Sequence, residues 1–175
     1  MDYKHEQLVD MDVPMAKNGD GEAFGRLIHK NKHSMYRIAK SILKNEYDAE
    51  DAIGAAILHA YAKIYSLRKN ENFSHWLLKI LINECYAIIR KRTKEIYTSE
   101  FIAAQGTYED KHNDDELTNS LNYLEDDQKI VVILFYYEDM SLKDISKTLH
   151  VPEGTVKSRL YRAKGKLRDI LGNSI

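Results

Sequence analysis

The chain has 175 residues, of which 43% are hydrophobic and 30% charged, a composition typical of one ordinary soluble domain or two small ones. A net charge of −1 argues against a polycationic nucleic-acid binder, the N-terminus lacks the apolar segment of a secretory signal, and no run approaches the about 20 apolar residues of a membrane span. The single cysteine, Cys85, excludes an internal disulfide and fits a reducing compartment; we interpret it as a small core residue rather than a redox sensor.

Apolar residues recur with a period near 3.6 and strand-like alternation is lacking, which predicts an all-α protein. In the N-terminal half the pattern indicates a bundle of about four helices, at residues 23–28, 35–43, 52–64 and 73–92. Asp48 and Asp51 resemble a capping pair for the third helix, whose apolar residues form a stripe of about four turns. Residues 66–72 are predicted to form a polar, partly basic loop.

Residues 96–117 are acidic and contain few large apolar side chains, so they are predicted to be a flexible linker. This linker separates two small helical domains, at residues 1–95 and 118–175. In the second domain, helices are predicted at residues 121–137, 141–149 and 152–171.

The charges are segregated along the chain. Residues 79–94 carry five basic and one acidic side chains, residues 95–127 carry one basic and ten acidic, and residues 141–175 carry eight basic and three acidic. The near-neutral total is therefore a cancellation, and the two basic stretches indicate surfaces for a polyanionic partner. For any one of these runs, a solvated helix face is the alternative interpretation.

Residues 141–171 have the pattern of a helix-turn-helix. Ser141 and Asp144 form the start of a capping box, and Pro152 suits the first turn of a second helix. At about 100° per residue, one side of that second helix is apolar and the other is cationic, hydroxylic and aromatic. Such a helix can bury one side and offer Arg, Lys and Ser to a DNA major groove. An αα-hairpin with a charged outer face is the alternative.

The segment 154–164, GTVKSRLYRAK, closely resembles the recognition-helix signature of bacterial sigma factors of the extracytoplasmic-function (ECF) class, and LKDIS at 142–146 resembles that family's first helix. The N-terminal half resembles the family's other domain at GDGEAF (19–24), AEDAI (49–53) and FSHWL (73–77), followed by Asn83 and the basic run 90–92. The two motif sets stand in the family's order and cover most of the chain.

This resemblance implies an alternative-sigma transcription initiation factor, which binds core RNA polymerase and directs it to specific promoters. Residues 118–175 would recognise the minus-thirty-five element through Thr155, Lys157, Ser158, Arg159, Tyr161, Arg162 and Lys164. Residues 1–95 would bind the polymerase clamp through Asp48, Glu50, Asp51, Ile53 and Ile57. They would recognise and melt the minus-ten element through Arg68, Lys69, Asn70, Phe73, Ser74, Trp76, Lys79, Asn83, Arg90, Lys91 and Arg92. Phe73 and Trp76 are suited to stack on unpaired bases, and a core position is the alternative for Trp76.

The resemblance also implies further partners and a location. The further partners are the polymerase flap, promoter DNA and an anti-sigma factor, which in some members is membrane-anchored. The anti-sigma factor would mask the binding surfaces until a stress or cell-envelope signal arrives. It implies a cytoplasmic protein with no cofactor, metal, catalytic residue or small-molecule substrate.

The chain departs from the family's pattern in two places. Gly54, Ala55 and Ile57 stand where the family usually has Gln, an acidic residue and an aromatic one, and Gly54 inside a helix costs about 0.5–1 kcal/mol relative to Ala. The usual Leu-Pro that opens the second domain is Leu124-Glu125, and a usual Arg is Lys129. The polymerase contacts are therefore expected to differ from the family's usual set.

The sequence leaves three alternative functions. A helix-turn-helix regulator that acts without replacing sigma would bind duplex promoter DNA alone. A metal-dependent nuclease or phosphohydrolase is disfavoured because the adjacent carboxylates of Glu50 and Asp51 point about 100° apart on a helix, and because His29 and His33 lack a third ligand. An anti-sigma partner or adaptor would not be expected to carry both DNA-facing motif sets. Only a sigma factor is expected to give promoter-specific initiation when it is added to core polymerase.

Overall fold

The computed structural model describes residues 11–98, 121 and 123–172, and the chain divides into two compact units, Met1–Arg90 and Lys91–Ile175. All regular secondary structure within the described ranges is helical, so the all-α prediction is confirmed. No helix in this part of the chain is long and apolar enough to cross a membrane.

The N-terminal unit contains a short helix at residues 11–17 and three long helices. These are α1 (Gly21–Ile42), α2 (Glu46–Lys63) and α3 (Phe73–Thr98), whose last eight residues lie past the boundary at Arg90. The 3₁₀ turns Ile64–Ser66 and Asn70–Asn72 lie between α2 and α3. Helix α3 extends three residues into the predicted linker 96–117, most of which lies outside the described residues.

The two helices predicted at residues 23–28 and 35–43 are one continuous helix, α1. Asn31 lies between them and is buried, and its Nδ2 donates to the Leu27 carbonyl one turn earlier at 2.8 Å. Because residues 29–34 contain neither Gly nor Pro and their one buried amide is satisfied within the helix, nothing there breaks α1.

Polar side chains cap the N-termini of α1 and α2. Asp20 accepts hydrogen bonds from the backbone N–H groups of Glu22 and Ala23 at 2.9 and 3.0 Å. The cap predicted at Asp48 is wrong: Asn45 is the extended cap residue, and its Oδ1 accepts from the Asp48 N–H at 3.4 Å. Asp48 therefore lies in the first turn, where its charge favours the helix N-terminus.

Small side chains bring α2 against α1. The buried residues of α2 are Ala49, Ala52, Ala56 and Ala60, which are spaced three or four residues apart on one face. Larger side chains from the other helices fill the core, notably Leu27, Met35 and Ile38 of α1 and Leu77, Leu78, Leu81 and Ile82 of α3. Cys85 of α3 is 0% exposed, and burial raises the pKa of its thiol to about 12. This agrees with its interpretation as a core residue.

Replacing Gly54 with alanine should stabilise the N-terminal unit by about 0.5–1 kcal/mol. Gly54 is exposed in the interior of α2, and apart from its chain neighbours and the backbone of its own helix no atom lies within 4 Å of the position that an added Cβ would occupy. Urea unfolding measures the change, and the neighbouring Ala55→Gly variant should show a loss of similar size. An unchanged or lower free energy of unfolding in Gly54→Ala would contradict the prediction.

The C-terminal unit contains α4 (Asp126–Val132), which continues as a π-helical turn at Ile133–Tyr137, α5 (Leu142–Leu149) and α6 (Glu153–Gly172). The helix predicted at residues 121–137 thus begins later than expected, because Glu125 is extended and caps α4. Helix α6 packs on both α4 and α5. The core of this unit is Ile130, Val131, Val132, Ile133, Leu134, Ile145, Leu149, Val156, Leu160 and Ala163.

Candidate nucleic-acid interface

The turn between α5 and α6 is fixed by three hydrogen bonds centred on Ser146. Its carbonyl accepts from the N–H groups of His150 and Val151, the latter at 3.1 Å, and its hydroxyl donates to the Val151 carbonyl at 2.7 Å. His150 ends α5 in the left-handed region at φ 56°. At the other end of α5, Ser141 Oγ accepts from the Asp144 N–H at 3.1 Å, as the capping pattern predicted. The two helices are therefore held in a helix-turn-helix.

Helix α6 has the two faces that the sequence predicted. Its buried side consists of Val156, Leu160 and Ala163. Its exposed side carries most of the predicted DNA-facing residues, namely Lys157, Ser158, Tyr161, Arg162 and Lys164. The Tyr161 side chain is 80% exposed, so its ring and hydroxyl are accessible to a partner.

The exposed cations of α6 make only weak internal contacts. Lys157 Nζ lies 3.1 Å from Glu153 Oε1, and Lys164 Nζ lies 5.5 Å from the centre of the Tyr136 ring. Arg162 Nε donates to the Ser158 carbonyl at 3.4 Å. Exposed pairs of this kind contribute little to stability, so phosphate oxygens can replace them at small cost.

Arg159, which was also predicted to face DNA, is directed inward. Its Nε lies 2.9 Å from Asp127 Oδ2, and its side chain is 21% exposed. Lys166 forms a second ion pair with Glu125 at 2.8 Å, and this hydrogen bond lowers the pKa of Glu125. Both acidic partners lie at the start of α4; the Lys166–Glu125 pair is exposed and contributes little, so the less exposed Arg159–Asp127 pair is the one that orients α6 on α4. Thr155, the remaining predicted residue, is half-buried, and its carbonyl accepts from the Ser158 hydroxyl at 3.0 Å.

In the N-terminal unit, four predicted minus-ten residues lie on one face of α3. At about 100° per residue, Trp76, Lys79, Asn83 and Arg90 fall within an arc of about 60°. Trp76 is half-buried and the other three are exposed. Lys91 lies beside this face, whereas Ser74 and Arg92 lie on the opposite side of the helix.

The structure corrects the prediction that Phe73 stacks on bases. Its side chain is 2% exposed, and its ring centre lies 6.0 Å from that of Trp76. Phe73 is the first residue of α3 and anchors the end of the loop in the core, so its ring is not offered to a base. Within the loop, Arg68 and Lys69 are exposed and Asn70 is half-buried.

Sequence reasoning missed Lys17, which contacts this loop from 50 residues away. Its Nζ donates to the Leu67 carbonyl at 2.6 Å and to Asn70 Oδ1 at 2.8 Å. No signal in the sequence marks this pairing, because Lys17 precedes the first recognised motif and lies on a different helix.

The outward face of α2 carries most of the predicted polymerase-binding residues. Glu50 and Asp51 are exposed, and Ile53 and Ile57 are half-buried, while Asp48 lies outside their arc. Leu58 and Tyr61, which sequence analysis did not assign, extend this apolar face and are 70% and 50% exposed. The predicted apolar stripe is therefore divided, with the alanines buried and the larger side chains outside. The described residues contain no group of three or more side chains placed to bind a metal ion.

Comparisons with known proteins match both units. The family model "Sigma-70 region 2" matches residues 27–95, and "Sigma-70, region 4" matches residues 114–167. The ECF RNA polymerase sigma factor SigW of Bacillus subtilis (strain 168) is 30% identical over 93% of this chain and 96% of its own length. The chain belongs to the ECF sigma factors. RNA polymerase sigma factor SigV of the same organism is 33% identical over 81% of this sigma factor and 86% of its own chain.

Solved structures agree with this assignment. The Bartonella quintana sigma factor RpoE, in complex with the anti-sigma factor NepR, is 28% identical, with a TM-score of 0.67 over 85% of this chain and 96% of its own. CnrH, in complex with the cytosolic domain of CnrY, shares the fold at 19% identity, with a TM-score of 0.63 over 96% of this chain and 99% of its own. The function that the resemblance implied is confirmed: this sigma factor is a transcription initiation factor whose partners are core RNA polymerase and promoter DNA.

Proposed function

We propose that α6 recognises the minus-thirty-five element of the promoter through its exposed face. The observation that carries this is the placement of three cations, a hydroxyl and a tyrosine on the solvent-exposed side of α6. They are Lys157, Ser158, Tyr161, Arg162 and Lys164. Arg and Lys pair with guanine edges or phosphates, and Ser with either. Arg159 contributes indirectly, by holding α6 through Asp127.

The face of α3 that bears Trp76, Lys79, Asn83 and Arg90, together with the exposed loop residues Arg68 and Lys69, would bind the minus-ten element. A cationic face that includes the half-buried Trp76 suits a melted strand, because cations hold the backbone and an aromatic ring stacks on a base for about 1–3 kcal/mol. Phe73 supports this surface from the core. Ser74, Lys91 and Arg92 lie off this face, and we assign them only contacts with the DNA backbone.

The outward face of α2 would dock on the polymerase clamp. Ile53, Ile57, Leu58 and Tyr61 leave apolar area uncovered, beside the carboxylates of Glu50 and Asp51. An apolar patch rimmed by charge is typical of a protein–protein contact. The domain limits that this assignment uses are residues 1–95 for clamp and minus-ten binding and 118–175 for minus-thirty-five and flap binding.

We further infer that an anti-sigma factor controls this protein in the cytoplasm, in a stress or cell-envelope response. RpoE is found in complex with the anti-sigma factor NepR, and the exposed faces of α2 and α6 are surfaces that such a chain could cover. No catalytic role is assigned to Glu50 or Asp51, which belong to the docking face.

The deciding experiment is run-off transcription with purified core polymerase on a library of randomised promoter fragments. Core polymerase with the protein should yield a promoter-specific transcript, and core polymerase alone should not. Selection of the transcribed fragments gives the promoter used in the tests below. A helix-turn-helix regulator would instead footprint duplex DNA by itself and give no transcript, and that result would overturn the proposal.

A further inference from the structure

The loop between α2 and α3 is short and is tied at both ends. Ser66 Oγ donates to the Lys63 carbonyl at 2.7 Å, the Leu67 N–H donates to the Ile64 carbonyl at 3.1 Å, and the Asn72 N–H donates to the Lys69 carbonyl at 3.1 Å. Only the stretch from Leu67 to Lys69 has no regular helical structure. This stretch holds Arg68 and Lys69, the two exposed loop cations of the proposed minus-ten surface.

The Lys17 ammonium spans that stretch. It donates to the Leu67 carbonyl on one side and to Asn70 Oδ1 on the other, so a single charged group fixes the distance between the loop's two ends. Hydrogen bonds with an ionised donor are about twice as strong as neutral ones. Arg68 and Lys69 are cations in the same loop, so their charges repel the Lys17 ammonium. The hydrogen bonds to the two acceptors must therefore hold the ammonium in place.

The helix that carries Lys17 is itself held in place. Val13 and Ala16 of the helix at residues 11–17 are buried in the core. Arg26 of α1 also pairs with Asp12, through Nε at 3.0 Å and Nη2 at 2.7 Å, but its side chain is 52% exposed and such a pair contributes little, so the buried Val13 and Ala16 hold the helix in place. The chain then turns at Gly19, whose φ of 94° few other residues adopt, to enter α1. Lys17 therefore approaches the loop from a rigid base.

We propose that Lys17 is a positioning residue that presets the loop at residues 67–70 for recognition of the minus-ten element. Because Lys17 occupies Asn70 Oδ1, it orients the Asn70 amide with its NH₂ group as the available donor. The loop would then meet DNA already in its binding conformation, without an ordering cost. This inference rests on the proposed function, since it assigns the loop to the minus-ten surface.

The test compares Lys17→Met, Lys17→Arg and Arg26→Met in the full-length protein. Transcription is measured on the selected promoter and on templates with each minus-ten base pair changed in turn. Lys17→Met should reduce the discrimination between these templates by roughly tenfold, the loss expected for removing a charged hydrogen-bond donor. Lys17→Arg keeps the charge and the donors and should restore much of the discrimination.

Arg26→Met is the matched control, because it removes a cation that ties the same N-terminal helix but does not touch the loop. It should leave minus-ten discrimination within about twofold of the parent, the range expected for an exposed ion pair. Discrimination at the minus-thirty-five element should be unchanged in all three variants. If Lys17→Met keeps full minus-ten discrimination, or if Arg26→Met loses as much, the positioning role is wrong.

Amide hydrogen exchange provides a readout that does not depend on transcription. In Lys17→Met the N–H groups of Leu67 and Asn72 should exchange at least about tenfold faster, while those in the middle of α1 keep their rates. Unchanged exchange at the loop would overturn the inference even if transcription fell. A parent protein that transcribes without minus-ten discrimination would instead contradict the proposed function itself.

Discussion

Replacing Ile145 with alanine should lower the free energy of unfolding of the C-terminal unit by about 2–5 kcal/mol. Ile145 is 0% exposed in α5, the helix that supports α6 and the turn between them. Truncation leaves a cavity that the surrounding core fills only in part. A small unit has a small margin of stability, so this substitution should remove most of that margin. Transcription that depends on the minus-thirty-five element should be lost with it.

Urea unfolding of the full-length protein, followed by hydrogen exchange at α1 and α5, measures this loss separately in each unit. The exchange rates of α1 should not change, because Ile145 belongs to the other unit. Lys147→Ala, an exposed substitution on the same helix, is the control and should change the free energy of unfolding by no more than about 0.5 kcal/mol. A loss below 1 kcal/mol in Ile145→Ala would contradict the packing described for α5.

Replacing Arg162 with alanine should lower transcription from the selected promoter by roughly 5- to 100-fold, the range for losing one specific base contact. Arg162 is exposed on the proposed DNA-facing side of α6, and the hydrogen bond from its Nε to the Ser158 carbonyl is long, at 3.4 Å. Its guanidinium is therefore available to a base edge. The folded state should be little affected.

The measurement is transcription from templates with each minus-thirty-five base pair changed in turn. If Arg162 contacts a base, the variant should become indifferent to one position, whereas a phosphate contact would weaken all templates equally. Lys166→Ala is the control, since it removes the same charge from the same helix at a residue paired with Glu125. Lys166→Ala should retain the promoter preference of the parent. Equal losses in both variants would show that only the charge of α6 matters.

Much of the fold could be predicted from sequence because its signals are local. The cap at Ser141, the 3.6-residue period of α6 and the Pro152 start placed the helix-turn-helix within one or two residues of its position in the structure. The segregation of charge also marked the basic C-terminal stretch, although the net charge concealed it. The break predicted within α1 was wrong because Asn31, a polar residue that interrupts the apolar pattern, is buried with its amide bonded to the Leu27 carbonyl of the same helix.

The amino-acid sequence by itself determined the helices, the order of the two motif sets and the two faces of α6, because each depends on residues within a few turns of one another. Only the tertiary structure decided which half of the apolar stripe of α2 is buried, that Phe73 lies in the core and that Asp127 holds Arg159. It also placed Lys17 at a loop 50 residues away. Helical periodicity defines faces but not their partners, since a partner is chosen by packing and by hydrogen bonds between distant segments.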